Sequence, residues 1–271
     1  MTLPSISYII ATNRPWHKIQ RTIDSIYAMG EHDYEILICS PYEYNIKIDN
    51  VKFIPDDNIS LTYAWNKLTR HSSGDWIMQI ADDYHYVNLN IKELLEFTKS
   101  EEMIKKTFKM IHMGPIDVWG ITNYAHITST PIYHPPYPVI HFSLIEKKTI
   151  DEKLDGVIFN ERFIYSTSDH WLGLYCSQNE DYKPLDYNIF DGHGGLGYKM
   201  RHGRTHIEGW PPLDSEGRAL PNINEFLGWV EPHGDEKNPK YLNSNYNTNH
   251  DYQVFKFLAE NFKKGITPYN F

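Results

Sequence analysis

An α/β fold with a mostly parallel central sheet is predicted by three observations. Short β-branched apolar runs recur along the first hundred residues, segments of helical apolar spacing lie between them, and the runs are too apolar to own a wet face. SISYIIA (5–11) is the first strand, closed by the polar turn Thr12-Asn13-Arg14-Pro15. Pro15 suits the first turn of a helix, in which Ile19, Ile23, Ile26 and Tyr27 follow at helical spacing until Gly30 stops it. YEILIC (34–39) and VKFI (51–54) are the second and third strands. Ser60 caps a helix carrying Leu61, Ala64, Trp65 and Leu68 on one face. WIMQIA (76–81) is the fourth strand, and Asn90 caps a helix with Ile91, Leu94, Leu95 and Phe97.

Ligands of open α/β sheets bind beyond the carboxyl ends of the strands, which directs attention to loops 12–15, 40–45 and 82–86. From about Lys109 the pattern loosens. FKMIHMG and PVIHFSLIEK resemble strands on either side of the Pro/Tyr-rich loop TPIYHPPYP. KKTIDEKLDG is a short helix ending on Gly156, and Ser168 or Asp169 starts another through Trp171, Leu172 and Leu174. DYKPLDYNIF is a further strand before the glycine-rich DGHGGLG. Residues 208–249 are rich in Pro, Asn and Gly and predict irregular structure, ahead of a last helix with Phe255, Leu258 and Phe262 on one stripe. No internal repeat or low-complexity linker interrupts the chain.

The 271 residues suffice for a substantial core, as one large domain or two small ones. A net charge of −9 argues against a nucleic-acid partner. No apolar run approaches the roughly 20 residues that span a bilayer, and the N-terminus lacks the basic region and cleavage site of a signal peptide. With only two cysteines, Cys39 and Cys176, a disulfide framework is excluded. The expected location is cytoplasmic, or peripheral at a membrane. The 20 tyrosines and 7 tryptophans supply rings that suit sugar-lined surfaces as well as cores.

The chemistry centres on GDWIMQIADDYHY (74–86), where an apolar strand runs out onto two adjacent carboxylates. By position alone, Asp82 and Asp83 form a solvated turn, cap the next helix, or hold a metal. The surroundings favour the last. ISLTYAWNKLTRHSSGDWIMQIADD resembles the segment of family 2-type glycosyltransferases in which a helix with Ala and Asn precedes a Ser-Gly-Asp turn and a strand ending in Asp-x-Asp. The matching positions are Leu61, Ala64, Asn66, Ser73, Gly74, Asp75 and the strand to Ile80, closing on Asp83. SISYIIATNRP resembles the family's opening strand and nucleotide loop. DGVIFNERFIYSTSDHWLGLYC resembles its Phe-Asp-Glu-Arg-Phe element and following helix, through Gly156, Phe159, Asn160, Glu161, Arg162, Phe163 and Asp169. Together the three cover roughly residues 5–180 in the family's order. Departures stand at Ala81 for the first Asp of Asp-x-Asp, at Ser40-Pro41 for the Asp pair after the second strand, and at Ser168 for the Glu of Glu-Asp.

The resemblance implies a GT-A fold, a Rossmann-like sheet flanked by helices with an irregular C-terminal extension. The catalytic domain would be residues 1–207, with a nucleotide half to about 108 and an acceptor half from 109, followed by the extension 208–271. It implies transfer of a sugar from a nucleotide-diphosphate donor to a saccharide hydroxyl, metal-dependent and inverting. A UDP-sugar is favoured, with GDP- or dTDP-sugars as alternatives. Thr12, Asn13, Arg14, Ser40, Asn66 and Asp82 are the expected nucleotide contacts, with turn formation as the alternative for Thr12, Asn13 and Arg14, and helix packing for Asn66. Asp83 and His193 are the expected ligands of Mn²⁺ or Mg²⁺, His202 and His206 being the other histidines of the same stretch, with an ordinary surface histidine as the favoured alternative for any one of the three. Arg201 and Arg204 are candidate phosphate clamps. Asp169 is the candidate base, with N-capping as its alternative. Trp119, Tyr124, Tyr133 and Tyr137 lie where an acceptor would stack, with core or interface packing as the favoured alternative for each. Two competing readings are a nucleotidyltransferase, disfavoured because ATNRPW has no glycine, and a non-catalytic sugar- or nucleotide-binding protein on the same fold.

Overall fold

A computed structural model describes residues 3–44, 47–57, 59–82, 84–85, 89–112, 143–164, 168–176, 181–186 and 201–202, with single positions at 254, 257, 258, 260, 261, 264 and 269. Its centre is a seven-stranded sheet flanked by helices. The four leading strands are β1 (Ile6–Ala11), β2 (Tyr34–Ser40), β3 (Val51–Pro55) and β4 (Trp76–Gln79), all parallel. Helix α1 (Trp16–Tyr27) joins β1 to β2, and α2 (Leu61–His71) joins β3 to β4. After the two-residue β5 (Tyr84–His85) come α3 (Ile91–Phe97), α4 (Glu101–Lys105) and β6 (Met110–His112). Then follow β7 (Ser143–Glu146), α5 (Lys147–Lys153), α6 (Ser168–Cys176), β8 (Leu185–Asp186) and β9 (Arg201–His202).

The sheet order is β3-β2-β1-β4-β7-β6-β8. The chain first steps outward from β1 to β3, then returns to place β4 on the other side of β1. Right-handed crossovers put α1 and α2 on opposite faces when the direction of winding reverses. The side-chain alternation matches. Ile9, Leu37 and Ile77 share a core with Ala64, Trp65 and Leu68 of α2, whereas Tyr8, Ile10, Ile36, Ile38 and Met78 share the other with Ile19, Ile23 and Ile26 of α1. Both faces are dry, as the unbroken apolar runs require. β7 runs antiparallel to β4 and β6, and β6 is parallel to β8.

The amino edge is stitched by polar groups inside apolar strands. Glu35 accepts from Ser7 Oγ (2.8 Å), Ser73 N (2.6 Å), Ser73 Oγ (2.7 Å) and Lys52 Nζ (2.7 Å). Burial acts to raise its pKa, but the bonds from Lys52, Ser73 and Ser7 outweigh burial and hold it down at about 2. Gly74 donates to Ser7 Oγ at 2.8 Å, and a Cβ there would stand 2.6 Å from Ser7 N and 2.8 Å from Ile6 C. Backbone cannot yield at that distance, so only glycine fits. Asp75 accepts from Ser5 N and Ser5 Oγ at 2.9 and 3.0 Å. The Ser-Gly-Asp turn is thus the seam between β1, β2 and β4.

Ser60 and Asn90 cap α2 and α3 as expected, accepting from Tyr63 N and Glu93 N. β4 ends at Gln79, two residues before the predicted limit, although Ile80 N still donates to Ile9 O at 3.0 Å. The terminal segment joins the core of the preceding residues. Tyr269 is 1% exposed, its carbonyl accepts from Trp171 Nε1 (3.2 Å) and Asn160 Nδ2, and its hydroxyl donates to Ile158 O. Cys39 and Cys176 are buried free thiols, and burial pushes the Cys39 thiol up to about 12. Among the described residues no helix is long and apolar enough to cross a membrane.

Candidate functional site

The reversal of winding between β1 and β4 opens a crevice at their carboxyl ends, the position where open α/β sheets take ligands. Thr12 follows β1 directly, and Asp82 lies three residues past the end of β4. They meet there. Thr12 Oγ1 donates to Asp82 Oδ2 at 2.6 Å, and Arg14 Nε stands 3.1 Å from the same oxygen. Arg14 N donates to Thr12 Oγ1 at 3.0 Å, folding the turn that brings the guanidinium back over the crevice. Thr22 Oγ1, buried in α1, donates to Asp82 O at 3.1 Å and fixes the emerging backbone. The side chains of Arg14 and Asp82 are 14% and 15% exposed, so their attraction is only partly screened.

Ser40 ends β2 beside this turn. Its hydroxyl accepts from Tyr42 N (3.1 Å) and is bonded to Tyr44 Oη (2.9 Å), and Tyr44 Oη donates to Arg14 O. The Tyr44 ring packs against both Trp16 and Phe53, with centroids 5.8 and 5.2 Å away. Burial raises the pKa of its hydroxyl, with the Asp82 charge acting in the same direction. Tyr42 is 51% exposed on the outer side of this cluster. Neither tyrosine was singled out by the sequence. A polar ring in a loop carries no periodic signal, and only the run of three aromatics at Tyr42, Tyr44 and Phe53 around the end of β2 marks the place.

The expected residues divide into groups. Thr12, Arg14 and Asp82 converge, Ser40 joins them through Tyr44, and Asn13 is exposed at the tip of the turn. Asn66 does not join them. It is 0% exposed, its Nδ2 donates to Phe159 O at 2.7 Å, and its Oδ1 accepts from Phe159 N at 3.1 Å. This amide clamps α2 to the chain at Phe159, the packing role that the sequence also allows. Asp169 lies in the first turn of α6, 7% exposed. The chain before it is tied to the ligand edge, because Thr62 N, at the start of α2, donates to Ile164 O at 3.2 Å. α2 begins at the carboxyl ends of the strands and its first turn is bonded to Ile164, and the carboxylate of Asp169 in the first turn of α6 is favoured by the helix dipole.

Asp83, His193, Arg204, His206, Trp119, Tyr124, Tyr133 and Tyr137 lie outside the described residues, as do the glycine-rich 191–197 and most of the predicted last helix. The backbone nevertheless supplies one juxtaposition. β5 pairs antiparallel with β9, setting Tyr84 opposite His202 and His85 opposite Arg201. The stretch carrying Arg201 and His202 thus runs beside the residues that directly follow Asp83. Among the described residues no group of three or more His, Cys, Asp and Glu side chains is placed to hold a metal ion. Asp82 Oδ2 is engaged by Thr12 and Arg14, which makes it an anchor for the turn.

Neither a protein-family model nor a curated protein matches the sequence. Solved structures similar to the chain include the mannosyltransferase PcManGT from Pyrobaculum calidifontis in complex with GDP-Man and Mn²⁺. The identity is 12% and the TM-score 0.46, over 68% of this chain and 54% of that one. S. aureus TarS 1–349 in complex with UDP is 11% identical with a TM-score of 0.44, over 63% of this chain and 54% of that one. A second structure of S. aureus TarS 1–349 is 10% identical with a TM-score of 0.49, over 96% and 92%. The chain thus spans about half the length of the first two matched chains.

Proposed function

We propose that the chain is a glycosyltransferase that moves a sugar from a nucleotide-diphosphate donor to a hydroxyl of a saccharide acceptor. The observation that carries this reading is the meeting of Thr12, Arg14 and Asp82 at the switch point between β1 and β4. It brings two of the three resembling segments, the opening strand with its loop and the strand that ends at the carboxylates, together at the ligand edge. In this reading the Thr12–Arg14 turn receives the nucleotide, and the guanidinium of Arg14 faces its phosphates. Asp82 holds that turn in place and accepts from the nucleotide side. Ser40 and the rings beyond it border the base.

Asp83 and His193 are the residues proposed to hold a divalent cation, and the pairing of β5 with β9 adds His202 as a second histidine candidate. Carboxylate and imidazole form a donor set suited to Mn²⁺, and such a cation, when bound, supplies charge stabilisation to the departing diphosphate. Asp169 takes the proton from the attacking acceptor hydroxyl, and a single in-line displacement inverts the anomeric centre. Residues 109–207 would carry the acceptor side.

A thermal-shift panel of UDP, GDP and dTDP, with and without Mn²⁺, tests the reading first. A divalent-dependent shift with one diphosphate is expected, and it names the donor class. Asp83→Asn is expected to lower transfer about a hundredfold or more while leaving the melting temperature in place. Transfer that survives both Asp83→Asn and exhaustive chelation would defeat the metal mechanism. The absence of any nucleotide-dependent shift would leave the fold as a scaffold for some other ligand.

A further inference from the structure

Two chains of hydrogen bonds meet at a single residue in the crevice. On one side Tyr42 N–H donates to Ser40 Oγ (3.1 Å), Ser40 is bonded to Tyr44 Oη (2.9 Å), and Tyr44 Oη donates to the carbonyl of Arg14. On the other, Arg14 N–H donates to Thr12 Oγ1 (3.0 Å), Thr12 donates to Asp82 Oδ2 (2.6 Å), and Arg14 Nε returns to that oxygen at 3.1 Å. A tyrosine hydroxyl has one proton. Since that proton goes to Arg14 O, the Ser40 hydroxyl must donate to Tyr44 and use its lone pairs for Tyr42 N–H. Every bond then points the same way, from the end of β2 to the backbone of Arg14, and bonds aligned in this manner reinforce one another.

We propose that Tyr44 is a positioning residue of the donor site: it clasps the β1–α1 turn to the end of β2, and so holds Arg14 over Asp82 in the geometry that receives the diphosphate. The proposal rests on the donor-site reading given above. The ring of Tyr44 packs in a three-ring cluster with Trp16 at the start of α1 and Phe53 of β3, which limits the freedom of the hydroxyl to leave the Arg14 carbonyl. The clasp also joins two regions with separate duties. Tyr42 is half-exposed and 6.5 Å from the Tyr44 ring, and Arg14 pairs with Asp82 at the other end of the clasp; in the donor-site reading the first would border the base and the second the phosphates. A ligand that presses on Tyr42 therefore reaches the phosphate end through one rigid element.

The test uses the full chain and three variants, Tyr44→Phe, Arg14→Ala and the double variant. Tyr44→Phe keeps the ring packing and removes the hydroxyl alone. Hydrogen–deuterium exchange of the peptide covering residues 12–16, without ligand, is expected to quicken about tenfold in Tyr44→Phe, with global melting little changed. Calorimetric titration with UDP and with GDP, each in manganese chloride, is expected to show affinity weakened about five- to tenfold. In transfer assays the donor KM should rise with kcat retained. The double variant should bind no more weakly than Arg14→Ala, because the clasp acts through Arg14. Unchanged exchange in residues 12–16 overturns the proposal, and so do additive losses in the double variant. If the unaltered protein binds neither nucleotide, the donor-site reading fails, and the exchange measurement alone then decides whether the clasp exists.

Discussion

At the amino edge of the sheet, Glu35 accepts from two serines and a lysine; at the carboxyl edge, Asp82 accepts from a threonine and an arginine. The ingredients are nearly identical, and the placements of the cations differ. Lys52 is 64% exposed at the rim and only completes a network whose other donors are the Ser7 hydroxyl and the backbone and side chain of Ser73. Arg14 is 14% exposed and stands in the crevice itself. Glu35 therefore holds strands together, whereas Asp82 holds a cationic turn at the switch point between β1 and β4.

Substitutions at the two edges should separate stability from binding. Gly74→Ala forces a Cβ against the β1 backbone and should cost about 3 kcal/mol in urea unfolding, with nucleotide affinity of the folded fraction retained. Stability preserved in that variant would mean that the seam at Ser7 is looser than described. Asn66→Ala leaves the Phe159 N–H and carbonyl buried without their partner, a loss of about 2 kcal/mol that should appear in the denaturation midpoint. An affinity loss with stability intact would instead restore Asn66 to the ligand.

The acid limb of stability offers a third measurement. Glu35 has its pKa lowered from 4.5 to about 2 in the fold. Its contribution is complete above 4.5 and is lost as pH falls from there toward 2. Comparing wild type with Glu35→Gln across that window should isolate a term on the order of 1–2 kcal/mol, partly screened by solvent at Lys52. Equal slopes for the two proteins would remove Glu35 from the account. The smallest stability effect should come from the carboxyl edge: Asp82→Asn is expected to cost about 1 kcal/mol or less while weakening nucleoside diphosphate binding about tenfold. The reverse pattern, large in stability and absent in binding, would make both edges structural.

Much of this arrangement was legible in the residues. β1 to β4 announce themselves because strands buried on both faces need unbroken apolar runs, and α1 to α3 because caps and spacing coincide at Ser60 and Asn90. The two-residue strands β5 and β9 have no period to detect, since pairing across distant segments defines them, whereas β8 lies inside the predicted strand DYKPLDYNIF. α4 escaped notice although Ser100 caps it, because five residues contain too little amphipathic repeat. In the site, Thr12, Arg14 and Asp82 followed from loop position and resemblance. The partner of Asn66 lies 93 residues away, and no local pattern foretells such a bond. Ser7 and Glu35 were visible as polar letters inside apolar strands, and those letters were the available sign of the amino-edge network.

Tyr269 carries a consequence for how the protein is made. Its bonds to Asn160, Trp171 and Ile158 bridge 109, 98 and 111 residues. Contacts of such span are reached late, because most of the chain must already be arranged before they are rewarded. A nascent chain leaving the ribosome accordingly keeps Trp171 and the Asn160 amide waiting until residue 269 has emerged, and a premature stop upstream would release a molecule whose wall under α6 stays unsealed and open to self-association.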